Sequence, residues 1–537
     1  MGQTGFNPVD LVVFCIYFVI IAGYGYWIYK RKSKAEASSK DYFLAEGALT
    51  YWAIGASLIA SNISAEHFIG MSGSGFAIGL AISSYEWMAA ASLIVVAVFF
   101  VPIYLKNNIY TMPQFLRQRY NPTVATIMAI FWLLLYVFVN LTSIIYLGGL
   151  ALHVTAGVDF TVAIVGLALF AIIITIGGMK VIGYTDVIQV IVLVVGGLAT
   201  TYLALDMVAE YFNKPSIFGA FSALRAEADS HFHMILPKES PYYKDLPGMT
   251  VILGAMWINN LNYWGCNQYI IQRTLGADLN TARKGILFAA FLKLLIPVIV
   301  VIPGISAYVL YQNGVFGQEM LDASGVVKPD HAYPVLLGLL PAGLKGMAFA
   351  ALTAAIVASL AGKANSISTI FTLDIYKLYI KPDASEAHLV KVGKITVWVA
   401  MLIATLIAPQ LRVLEQAFQF IQEYSSFITP GVFAIFFFGM FWKRTTSLAA
   451  MTAALLNIPL SVIFKIWFEH IPFLDRMGYI FLILVVVVVA LSLLDPKSKN
   501  NPKALEIDAE MFKPSQGFVY IALLICGILA ALYTVFW

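Results

Sequence analysis

Residues 56–75 read ASLIASNISAEHFIGMSGSG, which sets Ser61, Asn62, Ser64, Glu66 and His67 inside an otherwise apolar run. Residues 254–270 read GAMWINNLNYWGCNQYI and place Asn259, Asn260, Asn262 and Gln268 among Trp and Tyr. Both stretches lie in segments apolar enough to enter a bilayer. Polar groups at membrane depth persist only where they face protein or a water-filled cavity. The pattern therefore predicts two interrupted transmembrane helices whose breaks border an internal polar site.

The remainder of the chain agrees. Of its 537 residues, 60% are hydrophobic and only 12% charged, whereas a soluble domain carries about 25% charged residues. So few charges cannot cover a water-facing surface, which predicts an all-α integral membrane protein and excludes a soluble enzyme. The net charge of +4 is too small to call for nucleic acid or another polyanion. Cys15, Cys266 and Cys526 lie in apolar segments and read as small hydrophobes. The opening MGQTGFNPVD lacks a basic n-region, so the apolar run behind it is expected to be a retained helix.

With about 20 apolar residues needed per crossing, about fourteen spans are expected. They lie near 8–30, 50–77, 79–105, 122–151, 159–178, 185–207, 248–272, 284–312, 335–375, 393–409, 412–442, 446–468, 476–494 and 516–537. The ninth is too long for a straight helix. Short-loop Lys and Arg fall on every second loop, among them Lys30, Arg31 and Lys32, then Arg117 and Arg119, Lys180, Arg273 and Arg283, and Lys443 and Arg444. That bias puts both termini outside a plasma (inner) membrane. The two polar segments open spans two and seven, so spans two to six and seven to eleven read as inverted repeats with a substrate site at the breaks. The expected units are residues 1–48, an extra helix with a basic loop; 49–247, the first repeat with an outer loop; 248–445, the second repeat; and 446–537, accessory helices.

The stretch GGMKVIGYTDVIQ (Gly177–Gln189) resembles the signature of the solute:sodium symporter family, with Tyr184 where Trp is usual. SYEWM, FVNLTS, NYWGCNQYIIQRT, FAAFLKL, NSISTIFTLDIYK and AFQFIQEY are similar, in the same order, to segments of the family's bacterial sodium/galactose cotransporters. The resemblance implies a LeuT-type inverted repeat of five plus five helices and sodium-coupled symport of a glucose- or galactose-like monosaccharide. An alternative is a sodium-independent or proton-coupled sugar carrier on the same fold. An enzyme would need a metal-ligand cluster or a nucleophile–base pair, and the seven histidines are scattered.

A sugar needs side chains that donate and accept, together with an aromatic face. By resemblance, Glu86, Asn260, Lys293 and Gln422 bind its hydroxyls and Tyr263 is an inner gate that stacks on the ring. Met71, Tyr85 and Phe418 form an outer gate. His67 is also expected to bind the sugar, donating to one hydroxyl and accepting from another, as the Gln in its place does in the bacterial relatives; Ala89 replaces a sugar-contacting Ser. The sodium ligands implied are the carbonyls of Ala60, Ile63 and Ala355 and the hydroxyl of Ser359, with Ala358 in place of a second hydroxyl. Asp186 and Lys363 are expected to serve sodium exit or coupling. Lys363 lies one turn beyond Ser359 on the same helix face. Asp186 is its expected partner, and Lys363 is expected either to snorkel to the interface and leave sodium untouched or to serve as a tethered cation in a carrier that has lost sodium coupling.

Overall fold

The computed structural model describes residues 7–32, 49–177, 179–321, 325–413 and 417–537. The basic first loop lies outside them, as do the side chains of Arg31, Lys32 and Lys180. Among the described residues all the regular secondary structure is helical, apart from one isolated bridge between Leu321 and Val327. Ten helices among the described residues are long and apolar enough to cross a membrane, or eleven if one bent pair counts as a single span. The elements that build the site are α1 (Tyr51–Asn62), α2 (Ser84–Val95), α3 (Met179–Tyr211), α4 (Ala255–Gly265), α5 (Leu279–Gln312), α6 (Leu344–Thr369), α7 (Ala417–Ser425) and α8 (Thr429–Phe441).

Burial separates the core helices from the peripheral ones. The most apolar stretch of the span built on α6 is 89% buried, against 11% for that of the last helix, Gln516–Val535. The sequence of α6 explains this. Its run AFAALTAAIVASLAG has small side chains that let backbones approach closely. A Cβ added to Gly196 on α3 would come within 2.8 Å of the Ala351 Cβ. The extra first helix is pinned to the same element. The buried Asp10 carboxylate accepts from the backbone N–H groups of Gly343 (2.7 Å) and Gly346 (3.1 Å), at the positive end of α6.

Three expectations are corrected here. The ninth span, expected at 335–375, is two helices, Ala332–Leu339 and Leu344–Thr369. The chain turns between them at Gly343 with φ +86°, and the second helix continues in a wider-wound segment to Ile380. The eleventh span is itself broken, with α7 and α8 meeting at 47°. Several arginines counted as loop charges are buried instead. Arg119 donates to the carbonyls of Gly439 (2.7 Å), Trp442 (3.0 Å) and Thr445 (3.0 Å), closing the C-terminal end of α8, whose last carbonyls have no helical partner. Arg283 likewise holds the carbonyls of Ala97, Met511 and Lys513.

Candidate substrate and cation site

Both polar segments break as the sequence predicts. Helix α1 ends at Asn62, and Ile63 is extended (φ −75°, ψ 122°) before the chain rewinds at Glu66. Helix α4 ends at Gly265, and Asn267 is extended (φ −101°, ψ 121°) before Gln268–Ile271. At the first break the Ile63 N–H still reaches the Ile59 carbonyl. The carbonyls that follow have no helical N–H to accept and are available to a ligand or a neighbouring side chain.

A cavity opens beside these breaks, lined by Asn62, Glu66, His67, Tyr85, Glu86, Asn260, Tyr263, Lys293, Lys363, Phe418 and Gln422 among others. Its centre is an ion pair. Lys293 Nζ donates to Glu86 Oε2 at 2.5 Å, and both side chains are buried. Burying an isolated charge is costly, so each of these groups needs the other. Lys293 also donates to Asn62 Oδ1 and lies 5.1 Å above the Trp264 ring. On the other side, Glu86 Oε1 is 3.3 Å from His67 Nε2. The Ser64 N–H donates to His67 Nδ1 at 3.4 Å, so Nε2 carries the proton of the neutral ring and faces the carboxylate. His67 is therefore spent on Glu86 and on its own break. It borders the cavity as an orienter of Glu86, and the acceptor role that sequence reasoning gave it toward sugar is taken.

Tyr263 joins the two breaks. Its hydroxyl accepts from Asn62 Nδ2 at 2.8 Å and from the Tyr269 hydroxyl. Asn260 turns its amide N–H back to the Met256 carbonyl at 3.1 Å, leaving its oxygen for the cavity. Gln422 makes no side-chain hydrogen bond among the described residues, so its full donor and acceptor capacity faces the space. Tyr85 packs edge-on to Phe418 with centroids 5.4 Å apart, and the two close one side. Met71, the third expected gate residue, is fully buried and does not line the cavity. Ala89 does.

The candidate cation site lies where α6 meets the first break. Ser359 Oγ donates to the Ser61 carbonyl at 3.0 Å, one residue from the expected Ala60. Ala355 is buried one turn earlier on α6, and Ile63 is buried at the break itself. Lys363 Nζ donates to Ser359 Oγ at 3.0 Å and sits 4.7 Å over the Tyr269 ring. A lysine ammonium, a monovalent cation, thus already rests against the hydroxyl expected to bind sodium. Lys363 is 1% exposed, so it does not snorkel. Nor is Asp186 its partner: that carboxylate accepts from Ser57 Oγ at 2.5 Å, and Ser57 Oγ accepts from Arg273 Nε at 2.8 Å.

Sequence reasoning missed the connecting residues. Asn62 and Glu66 were visible as polar positions in the first break but carried no role. Tyr269, Trp264 and Arg273 are aromatic or basic residues of common types in a membrane protein, and only the fold brings them to Tyr263, Lys293 and Ser57.

A model of the sodium:solute symporter family matches residues 42–456. The chain is 48% identical over 542 residues to the sodium/glucose cotransporter of Vibrio parahaemolyticus, covering all of this chain and 99% of that one. It is 35% identical over 480 residues to the human (Homo sapiens) sodium/myo-inositol cotransporter 2, covering 86% of this chain and 70% of the relative. In fold it is similar to a Na+-coupled sialic acid symporter solved in a substrate-bound outward-open state. That likeness has a TM-score of 0.79 at 23% identity and covers 91% of this chain and 98% of the other. The broken helices, the polar cavity between them and a family match across most of the sequence agree: the chain belongs to the sodium:solute symporter family.

Proposed function

We propose that the protein carries a neutral monosaccharide, glucose- or galactose-like, together with sodium, by alternating access across a plasma membrane. The observation that carries this reading is the charge balance of the cavity. Its lining holds two carboxylates, Glu86 and Glu66, and two ammonium groups, Lys293 and Lys363. Lys293 is already neutralised by Glu86, which suits an uncharged polyol and disfavours a carboxylated sugar. The full-length likeness to a sodium/glucose cotransporter supports the same substrate class. Fourteen crossings with both termini outside and two inverted five-helix repeats are part of this reading. Its support is the pair of matching breaks, which recur at the start of each repeat unit.

In this mechanism the sugar hydroxyls meet Glu86, Lys293, Asn260 and Gln422, while the Tyr263 ring covers one face. Sodium would be held by Ser359 and the freed carbonyls of the first break, so its occupancy fixes α1 against α6 and thereby Asn62 against Tyr263. Loss of the ion inward frees Tyr263 to move. A sodium-independent carrier is the second reading, favoured by the Lys363 ammonium on Ser359.

Uptake of labelled glucose and galactose into proteoliposomes separates the two readings. Accumulation should follow an inward sodium gradient, and equal uptake in sodium and choline buffers would establish the sodium-independent carrier instead. In the same assay Gln422→Ala should lose at least nine-tenths of the uptake, because its donors and acceptor are given over to the ligand. Uptake within twofold of wild type would make Gln422 a packing residue.

The Tyr263 hydroxyl gives a further expected result. Ring stacking alone predicts that Tyr263→Phe is tolerated, but the hydroxyl is the junction of two hydrogen bonds. At about 0.5–1.5 kcal/mol per bond, losing both should slow uptake in Tyr263→Phe by roughly 5- to 160-fold. An initial rate within twofold of wild type would leave the ring as the only contribution.

A further inference from the structure

We propose that Lys363 is a tethered competitor of the coupling cation. Its ammonium holds Ser359 when sodium is absent and is displaced toward Glu66 when sodium binds. The inference rests on the sodium-coupled reading above and goes beyond it by assigning a second occupant to the same site.

Three observations support it. The first is position. Lys363 Nζ donates to Ser359 Oγ, whose own proton goes to the Ser61 carbonyl. The ammonium therefore occupies the hydroxyl expected to bind sodium, and Ala358 supplies no second one beside it. A sodium ion that takes Ser359 as a ligand must take that oxygen lone pair from the ammonium.

The second is reach. Lys363 lines the central cavity as well as the cation site, so its flexible four-carbon stem has open space on the cavity side. It cannot retreat to the membrane surface. Helix α6 runs on in a helical segment to Ile380, which puts Lys363 about 25 Å from that end at 1.5 Å per residue.

The third is a waiting acceptor. Glu66 borders the same cavity, and its Oε1 is buried with no hydrogen-bond partner among the described residues. The charged groups that act on Lys363 are Glu66, of opposite sign, and Arg273, of like sign. The Arg273 guanidinium packs against Gly362, the neighbouring residue, while the Tyr269 ring covers the ammonium from a third side. Arg273 disfavours a second cation beside Ser359, and Glu66 offers the displaced ammonium a partner. Movement from Ser359 to Glu66 places the ammonium beside the sugar site, so cation exchange at one site alters the other.

The test is equilibrium binding of radiolabelled sodium to purified full-length protein in detergent, without sugar. Lys363→Met keeps most of the length of the side chain and a thioether against the Tyr269 ring but removes the competitor. Its half-saturating sodium concentration should be at least tenfold lower than wild type, a change of about 1.4 kcal/mol. Lys363→Arg keeps the charge and should stay within about threefold of wild type. Glu66→Gln removes the acceptor and should raise the half-saturating concentration threefold or more. Lys363→Gln serves as a second neutral variant if the Met protein is not monodisperse.

A neutral variant that binds sodium within twofold of wild type overturns the competitor role and leaves the sodium-coupled reading intact. Tightening by Lys363→Arg equal to that by Lys363→Met also overturns it, because the effect would then come from shape and not charge. No sodium binding by wild type or any variant overturns both readings together.

Discussion

Glu86→Gln should abolish uptake and lower the stability of the folded protein by about 3–5 kcal/mol, the cost of leaving one member of a buried ion pair uncompensated. The substitution is nearly isosteric, so it opens no cavity. It removes the charge that holds Lys293 Nζ at 2.5 Å and leaves a single acceptor oxygen where two faced Lys293 and His67 Nε2. Lys293→Met should be equally damaging from the other side. It leaves the Glu86 carboxylate with His67 alone and removes the donor to Asn62, which in turn orients Tyr263. The double variant Glu86→Gln, Lys293→Met separates stability from function. With no uncompensated charge it should melt in detergent above either single variant, yet carry no sugar, because two hydroxyl-binding groups are gone. Uptake by Glu86→Gln within threefold of wild type would remove the pair from the substrate site. A double variant that melts no higher than the singles would show that the two charges are not coupled.

What could be read in advance followed from one physical rule, that unpaired polarity is costly inside a bilayer. Glu86 and Lys293 stand out in apolar runs for that reason, and so do the two breaks. The break between α7 and α8 obeys the same rule. It was not singled out because its polar residues, Gln419, Gln422, Glu423, Ser425 and Ser426, sit near the start of a span, where an ordinary helix end explains them equally well.

The fate of Lys363 depended on how far α6 continues, which a sequence fixes only to within a few residues. A span ending near 375 leaves snorkelling open, whereas a helix that runs to Ile380 closes it. The basic residues show the opposite failure. Arg119, Arg273 and Arg283 fit the loop-charge pattern, yet each is buried on backbone carbonyls. Charge counting cannot distinguish a cytoplasmic anchor from a helix cap. Tyr269 and Trp264 gave no signal at all, because an aromatic residue in a span is usually packing. Their roles come from neighbours distant in sequence.

Arg273→Met should cost nearly as much as the loss of Glu86, although Arg273 does not line the cavity. Its guanidinium is fully buried and donates to Ser57 Oγ at 2.8 Å and to the Tyr269 carbonyl. Ser57 passes its own proton to Asp186 at 2.5 Å. One relay therefore joins α1, α3 and the segment just past the second break. Removing the guanidinium leaves the Asp186 carboxylate buried with only a hydroxyl, and the expected loss is again about 3–5 kcal/mol. Asp186→Asn should destabilise from the opposite side, and the double variant Arg273→Met, Asp186→Asn should regain about 1–4 kcal/mol relative to the worse single variant, as replaced buried pairs commonly do. Transport should not return with it. Tyr269 loses the guanidinium that braces its backbone, and Tyr269 is what holds the hydroxyl of Tyr263. The measurements are the melting temperature in detergent and the initial rate of sugar uptake for all three variants. Recovery of both stability and uptake in the double variant would mean that the relay only holds the fold together. Recovery of stability alone identifies it as the strut that keeps the two breaks in register.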